Sequence, residues 1–310
     1  MPECLFCRQP APDNKWHVSC IRKFFGTTRL PHLDLTLDDL ERYAAESVLA
    51  RTTVPGVQKK LSLHLETSRN ETRLTIVGLW GNFILKPPTV EYPELPENED
   101  AVMHLAAFFG IECVPHALIR LHSGELAYIA RRIDRDKAGH KIAMEDFCQL
   151  DGRLTEDKYK GSYERCGRVI WQYSTRPGLD AWDLMNRLLF CFITGNADMH
   201  LKNFSLIETA SGHVLSPAYD LVSTMLAIQD DPEETALALN GKKARLKLSD
   251  FEQLAGKLEL PKLAWQRLVQ RYQSVSKDTL ARICQESFLS PTKKTELQKI
   301  IENRMGRLFL

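Results

Sequence analysis

"GNADMHLKNFSL", residues 195–206, sets Asp198, His200, Lys202 and Asn203 in one short polar stretch. It follows "LLFCFIT", residues 188–194, at the end of the most apolar helical segment of the chain, and the sequence turns apolar again at Phe204. Two readings compete. A surface turn would use these side chains for solvation alone. A catalytic loop would hang them from the end of a buried helix, where a packed core holds their geometry.

The elements on either side favour the second reading. "DAWDLMNRLLFCFITG" (180–195) reads as a central helix, and "FSLIE" (204–208) and "HVLSPAYD" (213–220) as short strands turning at "TASG" (209–212). Further upstream, "KLSLHLE" (60–66) alternates strictly, "RLTIVG" (73–78) is rich in strand formers, and "NFILKP" (82–87) stops at a proline. "NEDAVMHLAAFFG" (98–110) is an amphipathic helix with Gly110 at its C′ position. "CVPHALIRL" (113–121) and "LAYIARRID" (126–134) are two more strands, turning at "HSG" (122–124). Residues 51–135 therefore predict a mostly antiparallel sheet with one helix. Before it, "LDLTLDDLERYAAESVLA" (33–50) predicts a helix capped by Thr36. After residue 145 the chain is largely helical, including "PKLAWQRLVQRYQSVS" (261–276) and "PTKKTELQKIIENRMGRL" (291–308). "ETALALNGKKARLKL" (234–248) predicts a hairpin about Asn240-Gly241. The expected organisation is a loop-like, Cys-rich segment at 1–30, a strand-rich N-lobe at 31–140 and a larger helical C-lobe at 141–310. A cleft between the lobes is the default ligand site.

Bulk properties narrow the function classes. The 310 residues are 44% hydrophobic, enough for a sizeable core. Lys plus Arg is 41 against 40 for Asp plus Glu, so no global field draws the chain onto nucleic acid or a lipid surface. No apolar run approaches the ~18 residues of a membrane span. "MPECLFCRQP" (1–10) lacks the charged and apolar regions of a signal peptide, so a cytoplasmic location is expected.

Phosphoryl transfer needs a carboxylate to receive the proton of the attacking hydroxyl. It also needs a second carboxylate and an amide oxygen to hold Mg²⁺, and a lysine to fix the α/β-phosphates of ATP. A kinase catalytic loop places the asparagine five residues after the aspartate, the separation of Asp198 and Asn203. Asp220 follows on the next short ribbon. Lys86 ends an N-lobe strand, and Glu99, or failing that Glu97, is placed to pair with it from the next helix. Each alone has a plain structural reading: a turn, a solvated strand-end lysine, a helix cap, a residue favoured by the helix dipole. Their order is what argues for a two-lobed kinase. "TTVPGVQKKLSLHL" (52–65) sits where a phosphate-covering loop belongs, with only Gly56 as glycine; the backbone near Val54, Gly56 and Val57, with Gln58 and Lys60, would contact phosphate.

These motifs carry a resemblance. "VPGVQKKLSL", "NFILKP", "PENEDAV", "RRIDRD", "EDFCQL", "GNADMHLKNFSL" and "PAYDLVS" recur in the order seen in HipA-like serine/threonine kinases, and the chain most resembles the short HipT toxins of HipBST modules. The resemblance implies an α+β, bilobal protein-kinase-like fold and an ATP- and Mg²⁺-dependent kinase toxin of a toxin–antitoxin system. Family members phosphorylate an aminoacyl-tRNA synthetase, which leads to growth arrest or persistence. It makes Asp198 the catalytic base, Asn203 and Asp220 the Mg²⁺ ligands, Lys86 the phosphate ligand and Arg131, Arg132 and Ile133 the hinge beside adenine. His200 would support the loop, hydrogen-bonded within it. The resemblance further implies a HipB-like antitoxin, through which alone DNA is approached, and a HipS-like small partner. Where family toxins autophosphorylate a serine in the phosphate loop, this chain offers Thr53 or Thr52. The alternatives are a pseudokinase or a DNA-associated regulator of its own operon.

"CLFCRQPAPDNKWHVSC" (4–20) brings Cys4, Cys7, His17 and Cys20 into a Cys₃His pattern suited to structural Zn²⁺. The competing reading is reduced thiols. The other cysteines, Cys113, Cys148, Cys166, Cys191 and Cys284, read as small core residues.

Overall fold

The alternation of "LSLHLET" becomes strand β1 (Leu61–Thr67), which pairs with β2 (Thr72–Ile76) on one side and β3 (Phe83–Lys86) on the other. The computed structural model describes residues 3–11, 16–40, 42–43, 60–68, 71–78, 80–136, 138–228 and 232–309. The chain divides into two compact units, Met1–Asp100 with Val114–Lys141 and Ala101–Cys113 with Ile142–Leu310.

In the first unit, β4 (His116–Arg120) and β5 (Leu126–Arg131) complete a five-stranded antiparallel sheet in the order β2-β1-β3-β5-β4. The central strand β3 is bounded by Pro87, which has no N–H to extend the ladder, so Lys86 closes the strand opposite Tyr128 of β5. The segment at 1–30, expected to be loop-like, contains a helix, α1 (Val18–Phe25). It buries Cys20, Ile21, Phe24 and Phe25 and ends at left-handed Gly26, whose N–H donates to the Arg22 carbonyl. Phe24 and Phe25 meet Phe83 of β3 at centroid distances of 5.7 and 5.4 Å, so these aromatics cover the sheet. Thr36 caps the turn after it as expected: its Oγ1 accepts from Asp39 N–H, and its N–H donates to the Asp39 carboxylate.

Helix α2 (Leu95–Phe108) ends in a Schellman motif. Gly110 (φ +74°) donates to Ala107 and Ile111 to Ala106, the C′ role expected of Gly110.

In the second unit, β6 (Met144–Asp146), β7 (Ser205–Thr209) and β8 (Gly212–Leu215) form an antiparallel sheet in chain order. Helix α3 (Phe147–Leu150) follows β6 directly and carries a capping box between Asp146 and Gln149. Helix α4 (Tyr163–Tyr173) precedes α5 (Pro177–Ile193). Leu184, Leu188, Leu189, Phe190 and Phe192 of α5 are all buried, and two of its buried polar side chains tie it to neighbouring elements. Asp180 accepts from Ser174, Arg176 and the Leu215 N–H, fastening α5 to β8. Asn186 bonds Tyr272 of α8 (Lys262–Gln273) at 2.8 Å. Helices α6 (Thr224–Ala227), α7 (Leu248–Lys257), α9 (Lys277–Gln285) and α10 (Pro291–Phe309) complete the unit.

A second sequence expectation is also corrected. The hairpin over 234–248 is reduced to its turn: Asn240 (φ +50°) and Gly241 (φ +75°) have the type I′ signs, flanked by a lone Leu239–Lys242 bridge. The flanking backbone is used elsewhere. Ala238 receives the Tyr163 N–H, Asn240 N–H donates to Glu164, and Leu246 N–H donates to Glu234.

Candidate active site

Within the first unit, Lys86 and Glu99 meet directly. The ammonium lies 2.5 Å from Glu99 Oε1, both side chains are under 5% exposed, and Lys86 sits 5.2 Å from the Tyr128 ring centroid. Strand β3 supplies the lysine and the first turns of α2 supply the carboxylate. At such burial neither charge is tolerated without its counterpart. Arg132 N–H donates to the Asn82 carbonyl, and its guanidinium grips Asp134 through two nitrogens. Arg131 ends β5 with its N–H on the Pro115 carbonyl, and Ile133 follows, half-buried. Lys60 is half-buried just before β1. Val54, Gly56, Val57, Gln58, Thr52 and Thr53 lie outside the described residues.

Within the second unit, residues 195–206 leave the core as a built loop. The apolar helix α5 ends in a second Schellman motif, with Gly195 N–H on Phe192 and Asn196 N–H on Cys191. Gly195 has φ +68°, and a Cβ there would stand 2.9 Å from Met225 Cβ. Gly195→Ala is therefore expected to cost about 1–2 kcal/mol of stability. Chemical denaturation would read this as a lower midpoint with an unchanged slope. Thr224 clamps the turn, donating to the Gly195 carbonyl and accepting from Ala197 N–H.

The loop closes on itself through its backbone. Asp198 N–H donates to Asn196 Oδ1, and the Asp198 carbonyl accepts from Asn203 Nδ2 at 2.8 Å and from His200 N–H. The amide nitrogen of Asn203 is thus committed inside the loop. The Asp198 carboxylate accepts from the Tyr159 hydroxyl at 2.6 Å. Burial, together with that bond, pushes the Tyr159 phenol well above its ordinary pKa, so it stays a donor. His200 differs from expectation. Its ring meets Tyr159 edge-on at 4.9 Å, and among the described residues Nδ1 has no hydrogen-bond partner. Burial lowers its pKa and favours the neutral imidazole, so it supports the loop by packing.

Asp220 is held to this loop by its neighbour. The Tyr219 hydroxyl donates to the Lys202 carbonyl and lies 2.6 Å from Ser205 Oγ. Arg187 of α5 reaches the Ser216 carbonyl at 2.5 Å, so the same buried helix anchors both the loop and the ribbon. Asp220 itself adopts φ +56°, a left-handed conformation that aspartate tolerates better than most residues and that marks functional sites. Lys202 turns away to Asp146 at 2.6 Å. Sequence reasoning missed Tyr159, Tyr219 and the Lys202–Asp146 pair. Only Asp146 carried a readable signal, the capping pattern of "EDFCQ".

Residues 52–288 match the family described as the HipA-like C-terminal domain. The chain belongs to that family. Relatives of this HipA-like chain include "Putative kinase Y4dM" of Sinorhizobium fredii, 37% identical over 229 residues, 68% of this chain and 54% of that protein. The serine/threonine-protein kinase toxin HipA of Shewanella oneidensis is 27% identical, over 61% of this chain and 47% of that one. The chain spans about half the length of the curated relatives it matches. In fold it is similar to HipA of the Shewanella oneidensis toxin–antitoxin complex with HipB and operator DNA. That likeness has a TM-score of 0.68 at 22% identity, over 87% of this chain and 70% of that one. It is also similar to the Helicobacter pylori proinflammatory kinase CtkA, with a TM-score of 0.57 at 15% identity, over 83% and 91%. The HipA-like chain thus has an α+β, kinase-like fold. Among the described residues no helix is long and apolar enough to cross a membrane.

The HipA-like chain also draws its N-terminal ligand candidates together. One donor atom each from Cys4, Cys7, His17 and Cys20 lies within 4.8 Å of the others. All eight cysteines are free of disulfides.

Proposed function

We propose that this chain is an ATP- and Mg²⁺-dependent serine/threonine-protein kinase acting as a cytoplasmic toxin, with an aminoacyl-tRNA synthetase as its protein substrate. Membership of the HipA-like family supports the reading. The observation that carries it is the Asp198–Asn203 loop, in which the asparagine amide nitrogen clasps the aspartate carbonyl, so that neither the Asp198 carboxylate nor the Asn203 amide oxygen is spent on that closure.

In this reading Asp198 receives the proton of the attacking serine or threonine hydroxyl, with Tyr159 orienting its carboxylate. Asn203 and Asp220 hold Mg²⁺; the pair fits because both offer hard oxygen donors and Tyr219 fastens their segments together. The ion supplies neutralisation of phosphate charge when bound. Lys86, oriented by Glu99, fixes the α/β-phosphates. Val54, Gly56, Val57, Gln58 and Lys60 cover them, Arg131 to Ile133 border the adenine, and His200 packs the loop. Phosphorylation of Thr53 or Thr52 would add roughly −1.5 to −2 charges beside the phosphates and silence the kinase. A HipB-like antitoxin would bind the chain and bring it to operator DNA, by analogy with the Shewanella oneidensis complex of HipA, HipB and operator DNA. A HipS-like chain is the second proposed partner of a HipT-type toxin.

The test is incubation of the purified chain with γ-labelled ATP, Mg²⁺ and cell lysate. A single labelled band, identified as a synthetase and absent with Asp198→Ala, is expected. Labelling that persists in that variant, or no transfer at all, would overturn the assignment.

A further inference from the structure

The cysteine cluster lies in the first unit, as do Lys86 and Glu99, and a continuous set of contacts joins them. Cys4 and Cys7 bracket a tight turn in which Cys4 N–H donates to Gln9 and Arg8 N–H returns to the Cys4 carbonyl. His17 Nε2 lies 3.0 Å from the Pro10 carbonyl, which can only accept, so the ring proton sits on Nε2. Nδ1 is then a lone pair, and it faces Cys7 Sγ at 3.3 Å and Cys20 Sγ at 3.7 Å. A backbone carbonyl that fixes the tautomer from behind is the usual support of a metal-binding histidine. A tetrahedron with ~2.3 Å metal–sulfur bonds has edges of roughly 3.8 Å, so a donor set already within 4.8 Å needs little adjustment. Three thiols and an imidazole are a zinc set with all four positions filled.

The turn also places Arg8. Immediately after Cys7, Arg8 takes φ +61°, an unfavourable conformation for an arginine that persists only where its surroundings impose it. It thereby turns inward, 7% exposed, and its guanidinium meets Asp100 at 2.6 Å, a carboxylate with no exposure at all. Asp100 is the neighbour of Glu99 on α2. On its other side the turn is tied to the sheet, because the Leu5 carbonyl accepts from Leu118 N–H of β4. Phe6 continues the attachment, stacking on Trp16 at 5.5 Å.

We propose that Cys4, Cys7, His17 and Cys20 hold one Zn²⁺, and that this ion, by fixing the turn that aims Arg8 at Asp100, positions the helix from which Glu99 reaches Lys86. Zinc is a positioning element here, and Arg8 a positioning residue. Losing the metal frees the turn, releases Arg8 from its left-handed conformation and leaves Asp100 without its guanidinium. The start of α2 then loosens, and with it the Lys86–Glu99 contact.

The experiment uses the full chain, purified without chelator. Metal analysis should find one equivalent of zinc, and cobalt exchange should give the visible bands of tetrahedral thiolate coordination. Less than half an equivalent, with no such bands, overturns the site. Hydrogen exchange over Leu95–Phe108 is then compared among the loaded protein, the chelator-stripped protein and Arg8→Met. Exchange in the first turns of α2 should rise roughly tenfold or more in both altered forms, while Arg8→Met keeps its zinc and Arg8→Lys recovers part of the protection. Unchanged exchange in zinc-loaded Arg8→Met overturns the coupling, whatever the stripped protein does. These readouts are independent of the kinase reading. A matching loss of affinity for a fluorescent ATP analogue is the one arm that rests on it, and its failure alongside intact zinc and helix effects would count against the proposed function alone.

Discussion

Asp198→Ala is expected to slow phosphoryl transfer by roughly 10²–10⁴-fold while barely changing stability. The division of labour within the loop is the reason. The backbone of Asp198 does the structural work: its carbonyl receives Asn203 and His200, and its N–H is bound by Asn196. The carboxylate meets the hydroxyl of half-exposed Tyr159. Truncation leaves the first set intact and removes one partially solvated hydrogen bond, worth about 1 kcal/mol. Single-turnover labelling beside thermal denaturation separates the two effects. A variant that melts many degrees lower would show Asp198 to be structural, and one that transfers phosphate at the parent rate would remove it from the chemistry.

Glu99→Ala should have the largest effect on stability, roughly 3–5 kcal/mol, because Lys86 would lose the carboxylate 2.5 Å away at a site that excludes water. The stability loss should be reversible without restoring function. Lys86→Met in the Glu99→Leu background replaces the pair by apolar groups of similar size, and such exchanges of buried ion pairs are often neutral or stabilising. Denaturation midpoints near the parent's, with nucleotide affinity still lost, are expected for the double variant. If Glu99→Ala unfolds no more easily than the parent, the pair is not the buried anchor described here. If the double variant still binds nucleotide, Lys86 is not a phosphate ligand.

Much of this frame was legible in sequence because it rests on short-range rules. Strict alternation marked β1, a proline marked the end of β3 at Lys86, and glycine marked the Schellman end at Gly110. The step from an apolar helix into Asp198, His200 and Asn203 was readable for the same reason. What was missed depends on pairings distant in sequence. The turn at Asn240-Gly241 was right but its strands were not, since the Glu234 carboxylate binds the Leu246 N–H that a hairpin would have used. Helix α1 was hidden in a segment read chiefly for its cysteines, and its aromatic face packs against Phe6, Trp16 and the distant Phe83. Tyr159, 39 residues from Asp198, and Arg8, 92 from Asp100, obey no spacing rule.

The Tyr219 hydroxyl has an implication for how the proposed cation would be gripped. It spans Ser205 and Lys202, so the segments bearing Asn203 and Asp220 are mutually registered by the polypeptide itself. An ion arriving there would not have to gather two wandering strands. Its association would forfeit little chain freedom, and affinity would be governed by dehydration of the cation more than by assembly of its nest.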